Sequence, residues 1–467
     1  MGGEHGLGWR PSSQCRNTPC KFDRVAADIT FDRGRTLRIE QRPERRSPHD
    51  GGRPPDVSGQ VLMRPSGEAR KLGSVEVEMV SNDETLAAEA SIRVGHDGTQ
   101  AVIIITPRVV DWWDDHDGLA PCIQIRVTVY VPRGGYLDAM DLDVVHLDVG
   151  VARDLDMEVG HGTTIRTIVG NIKTWSFRES KDAVDDDDDE NGDPFSLQSP
   201  RILVKTVSGT IDGWFPLYDL LHMESSSGHI SPQVAPKSSN DKSATAETAT
   251  LAVHSVSGNV SIREPCVSAS GRARPSQTTL LPRRDYVVEV VTTSGAIEAT
   301  VAASSRAEFH SVSGDVSLEL LPCLGLTPKS SETMLLRTNT NSGVTTVTVL
   351  EPRTVDDRCA QASSLRTHPE ARSTGQDAGL SDLQSSHRSI SGGIKIAYPA
   401  SWTGRFKADT ISGNISAGGQ GVGITRSSRG IPKTVEGEKG EGNSWARVSC
   451  VSGNVALWVG DPSDQAD

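Results

Sequence analysis

The chain has 467 residues, with 48 Lys or Arg against 61 Asp or Glu, so its formal net charge is −13. Nucleic-acid partners and anionic membrane surfaces require clustered cations, so we expect neither as a partner. The 45 glycines and the few aromatic residues favour short strands joined by turns over long helices. The length predicts roughly two or three structural units.

Residues 1–55 are polar and carry Arg and Pro, which predicts a largely disordered tail in which Leu37-Arg38-Ile39 is a strand candidate. Residues 1–21 contain no apolar signal-peptide core. The longest apolar run, residues 101–105, is far shorter than the ~20 residues of a membrane helix. As written, the sequence predicts a cytoplasmic protein without a membrane span, or a cell-surface protein if the N-terminus is incomplete.

The seven cysteines have irregular spacings and include no C-x-x-C pair, which argues against a zinc ribbon or a redox dithiol. Cys15 and Cys20 could form a disulfide in an oxidising compartment. Free thiols in a reducing compartment are the favoured interpretation.

Residues 56–155 contain the first clear strand pattern. Apolar and acidic residues alternate in Val75-Glu76-Val77-Glu78-Met79, which indicates a half-buried strand. Further strand candidates are residues 88–94, 101–105, 123–131 and 137–151. This segment predicts an N-terminal β-rich domain or cap, similar to a small β-sandwich.

From residue 156 a motif of the form [Ser/Thr]-[Val/Ile]-Ser-Gly-x-[Val/Ile] recurs. Its glycines are Gly170, Gly209, Gly228, Gly258, Gly295, Gly314, Gly343, Gly392, Gly413 and Gly453. The shortest separations are Gly209 to Gly228 (19 residues), Gly295 to Gly314 (19) and Gly392 to Gly413 (21). A repeat of about 20 residues predicts an all-β fold with a C-terminal β-solenoid over residues 156–460.

The motif also predicts which side chains face inward. In the copy around Gly258, the period-2 pattern places Val256, Gly258 and Val260 on the inner face and Ser255 and Ser257 on the outer face. A glycine on the inner face permits a bend or a close backbone approach. The apolar pattern slips by one residue just before each motif, which predicts a corner there.

Segments between the motifs are poor in apolar residues and rich in Ser, Gly, Pro and charge. We expect disordered insertions near 176–199, 231–250, 266–283, 351–388 and 418–444.

Three clusters are candidates for chemistry, and each has a more ordinary interpretation. The acidic run 185–190 lacks the spacing of a calcium loop and favours a solvated loop. Asp141 and Asp143 lie on the opposite strand face from His146 and Asp148, which favours a polar outer surface over a metal site. The pair Trp112-Trp113 can form a carbohydrate platform, although aromatic residues more often cover a core edge. The sequence therefore predicts no catalytic, cofactor-binding or metal-binding residue.

The repeated S-V-S-G-N-V and T-I-S-G-N-I units resemble the family known as putative adhesins, in a version similar to fungal members. The resemblance covers residues 56–460. It implies a Ser-Gly β-solenoid and a non-enzymatic binding or scaffold protein that presents Ser, Thr and Asn faces to an unknown protein or glycan. The alternative is a β-helix carbohydrate-active enzyme of the lyase or hydrolase kind, which requires carboxylates that converge on one face.

Overall fold

The fold of this computed structural model is all-β. The structure describes residues 15, 21–44, 55–67, 73–95, 99–107, 121–174, 194–238, 248–264, 281–324, 333–354 and 379–460. The described part of the chain includes the short helix α1 (Glu84–Glu89), whose N-cap residue Asp83 accepts the backbone N–H of Leu86 at 2.9 Å. None of the described helical residues forms a helix long and apolar enough to cross a membrane.

The chain divides into two compact units. The first unit comprises Met1–Pro216 and His222–His229, and the second comprises Leu217–Leu221 and Ile230–Asp467.

The strands of the first unit extend from the N-terminal region into the first motif repeats. They are β1 (Lys21–Ile29), β2 (Thr36–Pro43), β3 (Asp56–Pro65), β4 (Gly73–Ser81), β5 (Ser91–Gly95), β6 (Thr99–Thr106), β7 (Cys122–Val131), β8 (Gly135–Asp143), β9 (Asp148–Val151), β10 (Asp156–Arg166), β11 (Ile172–Thr174), β12 (Ser196–Gln198), β13 (Arg201–Thr206), β14 (Ile211–Leu217) and β15 (Leu220–Ser225), which has residues in both units.

These strands form two sheets. The first has the order β1-β4-β7-β3-β9-β11-β14, and it is parallel from β7 onward. The second contains β5-β6-β2-β8-β10, followed by β12 and β13 beside β10, and only the β5–β6 pair is antiparallel among these pairings. Buried Val, Ile and Leu side chains from alternate strand positions form the core.

The N-terminal segment differs from the expected tail. Residues 21–44 form two strands, and β2 lies between β6 and β8 with parallel pairing on both sides. Leu37 and Ile39 are fully buried there. Pairing on both edges supplies the order that the polar composition of this segment does not predict.

The strands of the second unit continue the motif repeats. They are β16 (Ile230–Pro236), β17 (Thr248–Ser255), β18 (Val260–Arg263), β19 (Asp285–Thr292), β20 (Ile297–Ala303), β21 (Arg306–Ser311), β22 (Val316–Leu324), β23 (Met334–Ser342), β24 (Thr345–Val349), β25 (Arg353–Thr354), β26 (Leu383–Ser391), β27 (Ile394–Tyr398), β28 (Gly404–Ser412), β29 (Ile415–Gly419), β30 (Gly423–Ser428), β31 (Lys433–Lys439), β32 (Ser444–Ser452) and β33 (Val455–Val459).

From β16 to β24 and from β26 to β29, consecutive strands of the second unit alternate between two sheets in which they pair in parallel. One has the order β16-β18-β20-β22-β24-β27-β33-β29. The other has the order β17-β19-β21-β23-β26-β32-β28, and the antiparallel strands β31 and β30 follow β28. The final strand pair, β32 and β33, therefore lies between two pairs that precede it in the chain.

The expected insertions are only partly loops. Residues 231–236 belong to β16, and 383–388 belong to β26. The segment 418–444, predicted to be disordered, instead contains β30 and β31, because β31 pairs with the open edge of β28. The central parts of the other insertions lie outside the described residues.

Cysteine pairing also differs from the expectation. Cys15 forms a disulfide with Cys122 at the start of β7, and both residues are buried. Cys323 and Cys450 are buried free thiols. Cys20 lies outside the described residues.

Candidate binding face and the glycine turns that align it

Six of the ten motifs make a turn held by the hydroxyl three residues before the glycine, whereas the N–H groups of Gly343, Gly392 and Gly453 donate to backbone carbonyls. Thr292 Oγ1 accepts the backbone N–H of Gly295 at 3.0 Å. The same hydrogen bond, at 2.8–3.0 Å, joins Thr167 to Gly170, Thr206 to Gly209, Ser225 to Gly228, Ser255 to Gly258, and Ser311 to Gly314. These hydroxyls are buried, so they satisfy backbone groups that would otherwise be unpaired in the core.

The repeat glycines lie against one another. In the first unit, a β-carbon on Gly209 would lie 1.9 Å from the carbonyl oxygen of Gly170, and one on Gly228 would lie 1.6 Å from that of Gly209. In the second unit the corresponding distances are 2.0 Å for Gly295 to Gly258, 2.0 Å for Gly314 to Gly295, 2.4 Å for Gly343 to Gly314, 2.0 Å for Gly392 to Gly343, 2.5 Å for Gly453 to Gly392 and 2.0 Å for Gly413 to Gly453. Only glycine fits at such a separation.

The residue after the glycine helps to set the register between neighbouring turns. Asn259 Oδ1 accepts the backbone N–H of Ala296 at 3.0 Å, and Asp315 Oδ1 accepts that of Val344 at 2.7 Å. Equivalent bonds run from the Thr210 N–H to Asn171 at 3.0 Å and from the Asn414 N–H to Asn454 at 2.9 Å. The frequent Asn or Asp at this position therefore aligns one turn with the next.

The predicted faces are wrong at two positions of the motif. Val256 is 55% exposed, whereas Ser255 is buried and continues the inward series that begins with Leu251 and Val253. The same outward placement applies to Val207, Val312, Ile390, Ile411 and Val451. The chain turns its corner within the motif, directly after the hydroxyl residue. The shift in the inward pattern that was predicted just before the motif therefore does not occur.

In the sheet that contains β23, β26, β32 and β28, in-register pairing places outward side chains in rows that run across the strands. One row in the second unit contains Arg337, Ser386, Arg447 and Lys407, on β23, β26, β32 and β28. The next row contains Asn339, Arg388, Ser449 and Asp409, and a third contains Leu335, Gln384, Trp445 and Arg405. These three rows form a mostly polar surface, which we call the arginine face.

The interior behind this face contains an unusual polar group. His387 is fully buried, and its Nδ1 and Nε2 lie 2.8 Å from Thr338 Oγ1 and 3.3 Å from Tyr398 Oη. Tyr398 Oη is also 2.6 Å from Ser385 Oγ. Burial lowers the pKa of His387 to about 3 and raises the pKa of Tyr398, so both are neutral at physiological pH.

The other sequence candidates do not form a site among the described residues. Asp141 and Asp143 contact the guanidinium of Arg166 at 3.1 and 3.3 Å, and Asp148 accepts the backbone N–H of Asn171 at 2.6 Å. No group of three or more potential metal ligands occurs in the described part of the chain. Trp112-Trp113 and residues 185–190 lie outside it.

No family model and no curated protein matches this sequence. Several crystal structures show a remote likeness. A putative lipid binding protein from Parabacteroides distasonis is 10% identical with a TM-score of 0.31, covering 72% of this chain and 92% of that one. A putative adhesin from the same organism is 8% identical with a TM-score of 0.27, covering 95% and 98%. A putative adhesin from Parabacteroides merdae is 8% identical with a TM-score of 0.24, covering 73% and 94%.

These identities and TM-scores are too low to support an argument about function. The candidate site therefore depends on the geometry of this chain alone. The sequence pattern indicated the ten glycines, but it did not indicate the arginine face, because its rows join residues from strands far apart in the chain. Only the register between strands reveals them.

Proposed function

We propose that this chain is a non-enzymatic, adhesin-like binding or scaffold protein. In this proposal, the repeat region over residues 156–460 is a β-solenoid built on the Ser-Gly repeat, and the ten repeat glycines are its structural residues. The outward face of the solenoid presents polar side chains to a protein or glycan partner.

One observation carries the proposal. The register keeps outward residues aligned over β23, β26, β32 and β28, so that hydroxyl, amide and guanidinium groups lie in parallel rows. Rows of side chains on an exposed sheet face are suited to contact with an extended partner rather than to enclosing a small substrate.

A glycan array probed with the full chain tests this function. We expect selective binding that Ser386→Trp abolishes, because a bulky ring on the arginine face blocks close approach. Thr346→Trp, which is exposed on β24 in the other sheet, is the matched control and should bind as the wild type does. Binding that survives Ser386→Trp and is lost with Thr346→Trp would place the binding surface elsewhere and reject this proposal.

A second candidate, a carbohydrate-active enzyme, has one observation in its favour. Glu289 and Glu308 are register partners on β19 and β21, so their α-carbons lie about 5 Å apart and their carboxylates are neighbours on the same sheet face. Retaining glycosidases use carboxyl groups about 5–5.5 Å apart. Glu308, however, is paired with Arg337 at 3.1 Å. Release of reducing ends from polygalacturonate that Glu289→Gln abolishes would favour the enzyme over the binding protein.

A further inference from the structure

Cations are concentrated on the arginine face of an otherwise acidic chain. Five lie on four adjacent strands: Arg337 on β23, Arg388 on β26, Arg447 on β32, and Arg405 and Lys407 on β28. The whole chain carries a formal charge of −13. At physiological salt the Debye length is about 8 Å, so distant carboxylates do not cancel the local potential of this cluster.

Three of the five cations have carboxylate partners. Arg337 contacts Glu308 at 3.1 Å, and Lys407 contacts Glu436 at 2.8 Å. Arg405 lies 4.0 Å from Glu438, at the limit of an ion pair, with most of its side chain exposed.

Arg388 and Arg447 are different. Both are exposed, and neither side chain has an ion pair or hydrogen bond with any of the residues that the structure describes. Asp409, the nearby carboxylate in the Arg388 row, accepts the hydroxyl of Ser449 at 2.5 Å. Two guanidinium groups on adjacent strands are therefore available to an external anion.

An exposed indole lies beside these guanidinium groups. Trp445 is 38% exposed and lies two residues before Arg447 on β32, so both side chains point outward from the same strand. Strand spacing places the α-carbons of Arg388 and Arg447 about 8 Å apart, as diagonal neighbours. Between the cations lie the hydroxyls of Ser386 and Ser449.

This combination matches one ligand chemistry. A guanidinium pairs with carboxylate or sulfate through two parallel N–H donors, and an exposed indole offers a flat apolar surface beside them. Hydroxyl rows supply further hydrogen bonds to a polar chain. We propose that the arginine face binds a linear anionic polysaccharide, with Arg388 and Arg447 on its acidic groups and Trp445 against a sugar ring. The inference rests on the proposed binding function and names its ligand class.

The direct test measures binding of the full chain to two anionic polymers, polygalacturonate (carboxylate) and dextran sulfate (sulfate), with neutral dextran as the reference. The key variant is Arg388→Ser with Arg447→Ser. Serine is chosen because Ser449 lies beside Arg388 in its row and Ser386 lies beside Arg447 in its row. Trp445→Gln copies Gln384. The charge-matched control is Arg263→Ser with Lys395→Ser, two exposed cations on the other sheet of the second unit.

We expect the wild type to bind at least one anionic polymer but not neutral dextran, and to bind more weakly at about 300 than at about 50 mM NaCl. The double arginine variant should weaken binding by about tenfold or more, because charge-assisted hydrogen bonds are lost. The control should stay within about twofold. Retained binding in the arginine variant, equal loss in the control, or tighter binding to single-stranded DNA would overturn the inference. Binding of neutral glycans alone would overturn it while leaving the proposed function intact.

Discussion

At the scale of single residues, a hydroxyl and a glycine shape the turn in six of the ten repeats. The hydroxyl three residues before the glycine is buried there and accepts the glycine N–H, as in the Ser311–Gly314 pair at 2.8 Å. The glycine itself leaves space for the carbonyl of the neighbouring turn. The hydroxyl acts through a hydrogen bond and the glycine through its small size, and both lie in the core. Substitutions at these positions should therefore lower the free energy of unfolding.

Gly314→Ala should destabilise the second unit severely. The β-carbon of an alanine at this position would lie 2.0 Å from the carbonyl oxygen of Gly295, so the backbone would have to move to relieve the clash. We expect a loss of about 3 kcal/mol or more in the free energy of unfolding. Gly430→Ala is the matched control, because the nearest atom to its β-carbon is 3.6 Å away. Urea denaturation measures both, and equal stability of the two variants would contradict the glycine role.

Buried His387 should make the protein acid-sensitive. Its pKa is about 3 when folded and near 6.5 when exposed, so below pH 6.5 the unfolded chain binds a proton that the folded chain does not. Stability from this residue is therefore present above pH 6.5 and is lost as pH falls, by up to about 1.4 kcal/mol per pH unit.

The comparison with His387→Val isolates this contribution. Val448 occupies the register position next to His387 on β32, so valine is compatible with the interior there. Urea denaturation between pH 7 and about pH 4.5 should show a shallower loss of stability for the variant. Parallel pH profiles for the two proteins would show that His387 does not contribute.

At the scale of elements, the sequence could predict the motif glycines but not the order in which the motif strands pair. Gly413 follows Gly392 by 21 residues, which suggests that their strands are neighbours. Instead, Gly453 lies between them, because β32 pairs with both β26 and β28. The strand candidate Leu37-Arg38-Ile39 lies in β2, but its pairing could not be predicted for the same reason: its partners are distant in sequence. Local patterns contain no signal for either arrangement, whereas the exposed Val256 could have been found by continuing the inward series to Ser255.

The interleaved order predicts an unusual effect of truncation. A chain ending at Asn443 lacks β32 and β33, so it loses pairing on one edge of both β26 and β28 rather than fraying at one end. We expect hydrogen exchange to show lost amide protection in both strands. A chain ending at Gly460 keeps every described strand and should exchange as the full chain does. Protection retained in β26 after the longer truncation would contradict this order.

At the scale of the whole molecule, the net charge and the number of cysteines do not indicate how the charges are distributed or how the cysteines pair. The formal charge of −13 excludes a generally cationic surface, yet the arginine face gathers five cations on four strands. Similarly, an odd number of cysteines suggested free thiols, yet Cys15 and Cys122 are joined across 107 residues. Disulfides persist in oxidising compartments, whereas the free thiols predicted from the sequence are typical of reducing ones.

The Cys15–Cys122 disulfide should stabilise the first unit. Closing a loop of this length restricts the unfolded chain, which corresponds to about 5 kcal/mol in the chain-entropy description. Reductant should therefore lower amide protection in β7, where Cys122 begins the strand. The variant Cys15→Ser with Cys122→Ser should match the reduced wild type, and reductant should not change it further. Unchanged protection of β7 in the reduced wild type would mean that the strand pairings of β7 with β3 and β4 hold this part of the first unit without the covalent link.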